Sequence, residues 1–214
     1  MSLVQGIAEG LDALGLEVPF GAPTKLAAYL ELLAKWNKTY NLTAVRDIHE
    51  MVAHHVLDSL TVLPYIEKSA VTGRQIDTLV DVGSGAGFPG IPLAIVRPNL
   101  RITLVDAVDK KSAFQRQAKT ELGLANVSVV GARVEGLMAG GFDVVVSRAF
   151  AELANFVALA GHLANPDGRL YAMKGVLPES ELQCLPSPWR VEEIVPLRIP
   201  GQPVQRHLIV LKKS

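Results

Sequence analysis

The sequence predicts an α/β protein with a Rossmann-like, mostly parallel seven-stranded sheet, a C-terminal antiparallel hairpin and an N-terminal helical extension. Three observations predict it. From Asp77 onward, short runs rich in Val, Ile and Leu alternate with segments of helical character, as in a parallel sheet covered by helices. The first run, Thr78 to Val82, breaks into Gly83, Gly85, Gly87 and Gly90. Glycine there permits positive φ and leaves a ledge of bare backbone N–H groups for a nucleotide-like ligand. The second run ends on Asp106, 23 residues after Gly83, where such folds keep an acid for ribose hydroxyls.

A chain of 214 residues is long enough for one full core. We divide it into residues 1–76, a helical extension packed on the core, and 77–214, the core itself. Its 21 Lys plus Arg balance 21 Asp plus Glu, so any nucleic-acid site is a local patch. The one cysteine, Cys184, excludes a disulfide framework or thiolate metal cluster. With no signal peptide and no apolar run near the roughly 18 residues of a membrane span, a soluble cytoplasmic protein is expected, without a membrane partner.

The extension opens with an amphipathic segment from Leu3 to Leu14, then the breakers Gly15, Pro19, Gly21 and Pro23. Leu26, Leu30 and Leu33 recur at helical spacing between Thr24 and Trp36 and form a face for the core. Beyond it Lys35, Lys38 and Arg46 surround Asn37, Tyr40 and Asn41, a mixture suited to phosphate and base contacts or to an ordinary helix end. Asp47 and Glu50 read as an N-cap pair, followed by inward-facing Ile48, Met51, Val52, Val56, Leu60 and Leu63. Glu50, His54 and Asp58 share another face, with His55 nearer the apolar side. That histidine pair lacks further ligands at metal spacing, so no metal is expected.

In the core, the helix after the first strand runs from Pro89 to Arg97, stopped by Pro98. Strand two is Arg101 to Asp106, followed by a helix from Lys110 to Leu122 with Gly123 as its cap. Strands three and four are Val127 to Val130 and Phe142 to Ser147. A helix from Glu152 to Leu163 meets the turn Asn165-Pro166-Asp167-Gly168, and strand five is Arg169 to Met173. The runs Val191 to Ile199 and His207 to Leu211 are joined too closely for a crossover and make an antiparallel pair.

Two nucleoside cofactors fit the glycine turn. Gly85-Ala-Gly87-Phe-Pro-Gly90 satisfies the dinucleotide pattern of NAD. Asp81, however, puts a carboxylate just before the glycines, which would repel a pyrophosphate and suits the ammonium of a methionine moiety. Asp-x-Gly-x-Gly-x-Gly therefore looks like the first motif of an S-adenosylmethionine-dependent methyltransferase, and the C-terminal hairpin agrees with that class.

More specific motifs follow. Trp36-Asn37-Lys38-Thr39-Tyr40-Asn41-Leu42-Thr43, His54-His55-Val56-Leu57-Asp58-Ser59, Asp81 through Gly90 and Ser147-Arg148-Ala149-Phe150 together resemble the bacterial small-subunit ribosomal RNA guanine-N7 methyltransferases, the glucose-inhibited division protein B family. The resemblance runs from about Lys25 to Lys212. It implies a class I methyltransferase that makes 7-methylguanosine at position 527 of 16S rRNA, with S-adenosylmethionine as cofactor. Carried over by residue, cofactor contacts fall on Gly83, Phe88, Val134, Glu135 and Arg148, beside Asp81, Gly85 and Asp106 from the glycine-loop argument. Phe88 flanks the methionine side or packs the helix; Arg148 serves the cofactor carboxylate or the RNA.

Guanine N7 has a lone pair and no proton, so it attacks a sulfonium methyl directly and leaves only alignment to the protein. Strand four ends in Ser147-Arg148 without the Pro-Pro-aromatic element of amino-group methyltransferases, and Cys184 is poorly placed as a nucleophile. No general base is required, and Arg148 and Lys174 are positioning candidates. RNA contacts are sought at Lys38, Lys110, Lys111, Arg116, Arg133, Lys174 and Arg206, with 16S rRNA or the small ribosomal subunit as partner and a monomer as the working unit. An NAD-linked oxidoreductase and a non-catalytic RNA- or cofactor-binding module are the other function classes.

Overall fold

The computed structural model describes residues 1–68, 76–148 and 152–214. Ala149 and Phe150 of the motif above lie outside them. The chain begins with α1 (Leu3–Ala13), which Ser2 and Gln5 close with a reciprocal capping box. α2 (Ala22–Tyr40) starts at Gly21 and ends at Asn41, whose φ of 50° stops the helix. It is longer at both ends than the apolar spacing indicated, and at the C-terminal end Lys38 and Tyr40 continue it as an exposed final turn.

Asp47 caps α3 (Ile48–Met51) through the N–H of His49. The helix then widens into a π-helical stretch, Val52–Leu57, before α4 (Asp58–Leu60) and α5 (Leu63–Lys68). Periodicity does not announce such a change of winding, and π turns concentrate at functional sites.

The core strands are β1 (Thr78–Val82), β2 (Arg101–Val105), β3 (Val127–Val130), β4 (Phe142–Ser147) and β5 (Ala164–Lys174), all mutually parallel where they pair. Between them lie α6 (Gly90–Val96), α7 (Asp109–Glu121) and α8 (Leu153–Ala160). A short α9 (Glu179–Leu182) precedes β6 (Trp189–Leu197) and β7 (Arg206–Lys213), which pair antiparallel with each other, β7 also with β5. The seven-stranded order is β3-β2-β1-β4-β5-β7-β6. Chain direction across the sheet therefore reverses between β1 and β4, and ligands of such sheets bind beyond the strand ends at that point.

One expectation needs correction. Asn165 to Gly168 is not a turn before β5 but an irregularity inside it: pairing jumps from Phe142↔Ala164 to Val144↔Arg169. Asn165 Nδ2 donates to Asp143 Oδ1 at 2.7 Å, which holds the extra residues against β4.

Side chains alternate across the sheet. Leu79, Ile102, Leu104, Val144 and Val146 join α1, α2 and α6 in one apolar cluster, while Val80, Val82, Val105 and Val145 join α8 on the other face. The N-terminal helices thus share a continuous core with the sheet. Tyr29 of α2 is fully buried and its hydroxyl donates to the Ala86 carbonyl at 2.5 Å, so the extension grips the glycine loop itself.

Candidate active site

The glycine loop turns between β1 and α6 with Gly83 at φ 68°, Gly85 at 60° and Gly87 at 95°. These values suit glycine, and the three positions serve different ends. A Cβ on Gly83 would meet no atom within 4 Å, whereas one on Gly87 would lie 2.4 Å from the Ile91 side chain. Gly90 approaches β2 so closely that a Cβ would reach Leu104 at 2.2 Å. Gly83 alone among the three left-handed glycines lines a cavity.

That cavity, of about 520 Å³, lies beyond the ends of β1, β2 and β3. Gly83, Asp106, Lys111, Arg133, Val134 and Glu135 line it, together with Asn155 and Leu159 of α8. Asp106 is buried, and its carboxylate holds the loop. Oδ2 accepts the Gly85 N–H at 2.9 Å, Oδ1 accepts the Val108 N–H at 2.9 Å, and Lys111 Nζ is 3.6 Å from Oδ2. A carboxylate offers about four lone-pair sites, so capacity remains for a ribose hydroxyl. Gln115 completes the support by donating to Ser84 Oγ and to the Gly85 carbonyl at 2.8 and 2.7 Å. Gly85 therefore acts through its backbone and lines neither this cavity nor the next.

Asp81 is fully buried under α6, because strand alternation puts it on the face of Leu79. Its Oδ2 accepts the Gly90 N–H at 2.8 Å, and Oδ1 has no hydrogen-bond partner. Burial pushes the carboxyl up to about 7. Asp81 lines neither cavity; Oδ1 is the one oxygen it has left for a cationic group.

A second cavity, of about 460 Å³, opens beyond β4 and β5 and is roofed by α3 and the π stretch. Glu50, His54, His55 and Asp58 line it from the helical side, and Arg148, Lys174, Arg206 and His207 from the sheet edge. Asp58 is its anchor. This buried carboxylate takes Arg148 NH1 at 3.1 Å and Arg206 Nε at 3.2 Å on its two oxygens. Lys174 Nζ lies 3.0 Å from Glu181, which also accepts the Leu153 N–H at the start of α8.

Phe88 is buried between the two regions and lines neither cavity. Its ring stacks on His55 at 4.6 Å, meets Tyr29 at 5.3 Å, and lies 4.9 Å from the Arg148 guanidinium carbon. His55 Nδ1 is 3.0 Å from the His54 carbonyl, which can only accept; Nε2 therefore accepts from Thr43 Oγ1 at 2.7 Å. Burial, then the Arg148 charge, lowers the imidazole to about 4. His55 is neutral near pH 7, and both ring nitrogens are engaged.

Among the sequence-derived candidates, Gly83, Asp106, Val134 and Glu135 come together in the first cavity, joined by Lys111 and Arg133. Arg148, Lys174 and Arg206 come together in the second. Lys38, Lys110 and Arg116 are exposed and line neither; Lys110 instead donates to the Tyr40 carbonyl at the end of α2 at 2.8 Å. Sequence reasoning missed the double anchoring by Asp58, the partner Glu181 and the α8 wall of the first cavity. The one signal available was the shared face of Glu50, His54 and Asp58. No group of three or more His, Cys, Asp or Glu able to hold a metal occurs among the described residues, and none of their helices is long and apolar enough to cross a membrane.

The residues of the first cavity fit an adenosyl cofactor. Gly83 leaves open space where any side chain would stand, a buried acid follows β2, and apolar walls come from Val134 and Leu159. The fold recurs in solved structures. TrmN from Thermus thermophilus matches with a TM-score of 0.56 at 17% identity, over 76% of this chain and 53% of that one. M. jannaschii TYW2 in complex with AdoMet matches with 0.53 at 13% identity, over 73% of this chain and 78% of that one. Fold and crevice together define a Rossmann-like α/β fold with a nucleoside-sized crevice beside the strand reversal.

Sequence relations narrow the class. A family described as rRNA small subunit methyltransferase G matches residues 23–209. A ribosomal RNA small subunit methyltransferase G from Azoarcus sp. (strain BH72) is 52% identical, over 97% of this chain and 95% of that protein. The enzyme of the same name from Neisseria meningitidis serogroup C (strain 053442) is also 52% identical, over 95% of each chain. The chain belongs to the rRNA small subunit methyltransferase G family.

Proposed function

We propose that this protein transfers the methyl group of S-adenosylmethionine to N7 of a guanine in 16S rRNA, giving 7-methylguanosine and S-adenosylhomocysteine. By family resemblance the acceptor is the guanosine at position 527. The observation that carries the reading is the pair of cavities flanking the β1–β4 reversal, one with adenosyl-binding features and one lined by arginine and lysine. The bound cofactor supplies a methyl group on a positively charged sulfur.

The chain supplies position. Gly83 yields space, Asp106 accepts from the ribose, and Val134 and Glu135 border the adenine. Arg148 and Lys174 orient RNA phosphate or guanine O6, leaving the N7 lone pair free. Direct attack needs no general base, and the buried histidine of the acceptor cavity is in no state to act as one. Guanine N7 lies in the deep groove of an A-form helix, so the acceptor is an unpaired or splayed base. Both cavities are formed within one chain, which supports a monomer acting on the small subunit or its rRNA in the cytoplasm.

Nucleoside analysis of 16S rRNA from cells lacking the gene tests the reading. Loss of 7-methylguanosine, restored by the wild-type protein with S-adenosylmethionine in vitro, is the expected result. Undiminished 7-methylguanosine, or appearance of a different methylated nucleoside on restoration, would overturn it.

A further inference from the structure

Five charged side chains line the second cavity: Arg148, Lys174 and Arg206, with Glu50 and Asp58. Four of them are ion-paired within the protein. Asp58 takes both arginines, and Lys174 pairs with Glu181. Glu50 stands apart. It is exposed on α3, and among the described residues its carboxylate has neither a hydrogen bond nor an ion pair.

A guanine whose N7 faces the methyl donor turns its other edge, N1–H and the 2-amino group, toward the opposite wall. That edge presents donors alone. Arginine and lysine have no acceptor to offer it, His55 has both nitrogens engaged, a neutral His54 or His207 has one acceptor nitrogen and not two, and Asp58 is taken up by two guanidinium groups. A free carboxylate, able to accept two parallel N–H bonds, is the complementary group. We propose that Glu50 recognises the acceptor guanine through N1–H and the 2-amino group, and that its charge assists the transfer. The inference rests on the guanine-N7 reading above.

The charge balance shows why assistance follows. The N7 lone pair forms the new N–C bond while the C–S pair returns to sulfur, so the positive charge moves from sulfur to the purine and no proton leaves. A cationic purine is a stronger donor at N1–H and at the amino group. The contact to Glu50 therefore tightens in the transition state more than in the bound ground state, which raises the rate of the chemical step.

The test uses two nucleotides and the full-length protein. Guanosine 5′-monophosphate and inosine 5′-monophosphate, which lacks the 2-amino group, are titrated against wild type, Glu50→Ala and Glu50→Gln. Loss of one charge-assisted hydrogen bond predicts that wild type prefers the guanine nucleotide by about tenfold. Glu50→Ala should bring the ratio close to one. Glu50→Gln keeps an acceptor without the charge; it should retain a preference of about threefold, while its single-turnover rate on unmethylated rRNA falls about tenfold. A Glu50 that merely favours the start of α3 would alter thermal stability and leave the nucleotide ratio alone. A wild-type ratio near one, or a ratio unchanged in Glu50→Ala while wild type still forms 7-methylguanosine, overturns the inference. If wild-type protein forms no 7-methylguanosine on rRNA, the reaction on which the inference rests is what fails.

Discussion

The two cavities on either side of the β1–β4 reversal are built by different means. The first is made of backbone: a glycine loop, the N–H groups it exposes, and one acid that follows a strand. Its parts lie close in sequence, with Gly83, Asp106 and Val134 each a few residues past the end of a parallel strand. The second is made of charged side chains drawn from residues 50, 58, 148, 174 and 206, with the cations held by carboxylates from other elements. A small invariant ligand suits the first construction. A large acceptor approached from outside suits the second, in which cations are held in place yet remain partly open to solvent.

The largest test of this difference is Asp58→Ala. It leaves Arg148 and Arg206 side by side without their shared partner, and breaking such a pair costs about 3 kcal/mol of stability. Denaturant unfolding should register that loss, and methyl transfer to rRNA should fall with it. In the fraction that stays folded, cofactor affinity by calorimetry should remain within about twofold of wild type, since a tenfold change would require 1.4 kcal/mol. A parallel loss of cofactor binding would mean that the two cavities are one unit.

Gly83→Val breaks the other side. The side chain enters open space on a backbone with φ 68°, at a conformational cost of about 1–2 kcal/mol. It should lower S-adenosylmethionine affinity about 100-fold, about 2.7 kcal/mol, and leave RNA binding intact. Gly85→Val strains a residue whose role is to donate its N–H to Asp106, so folding and binding would change together.

The two regions also respond to pH in opposite senses. Asp81, held near 7 by burial, binds its proton more tightly folded than unfolded; its contribution is full below about pH 4 and is lost as the pH rises through 7. His55, held near 4, binds its proton less tightly folded; its contribution is present above about pH 6.5 and is lost as the pH falls through 4. Between about pH 5 and 6.5 the two slopes oppose each other at about 2 kcal/mol apiece. Stability of wild type without cofactor should vary little there, rise with pH in Asp81→Asn, and fall with pH in His55→Gln. Parallel profiles for the two variants would contradict this assignment.

The smallest effects separate neighbouring lysines. Lys110 lies outside both cavities, and Lys110→Ala should reduce the salt dependence of RNA affinity by about one phosphate contact without changing cofactor affinity. Lys111 faces the first cavity beside Asp106, and Lys111→Ala should instead lower cofactor affinity about threefold, the scale of a partly exposed ion pair. An identical salt slope in the two variants would erase the distinction.

The sequence by itself determined the order of elements and the first cavity. Parallel strands buried on both faces read as apolar runs, and Thr78 to Val82, Val127 to Val130 and Phe142 to Ser147 carry their boundaries in the residues that follow. Glycine at Gly83 and an acid at Asp106 are visible because backbone conformation and a ligand-facing strand end are local properties. Tertiary structure decided what depends on meetings between remote segments. Only packing tells that strand alternation puts Asp81 under α6, that Tyr29 reaches Ala86, and that Gln115 supports the glycine loop. The second cavity lies almost wholly in this class. Its charges would be unremarkable on any solvated face; the π turn and the β4, β5 and β7 edges bring them together around Asp58, because a buried carboxylate must find cationic partners and here draws them from residues 148 and 206.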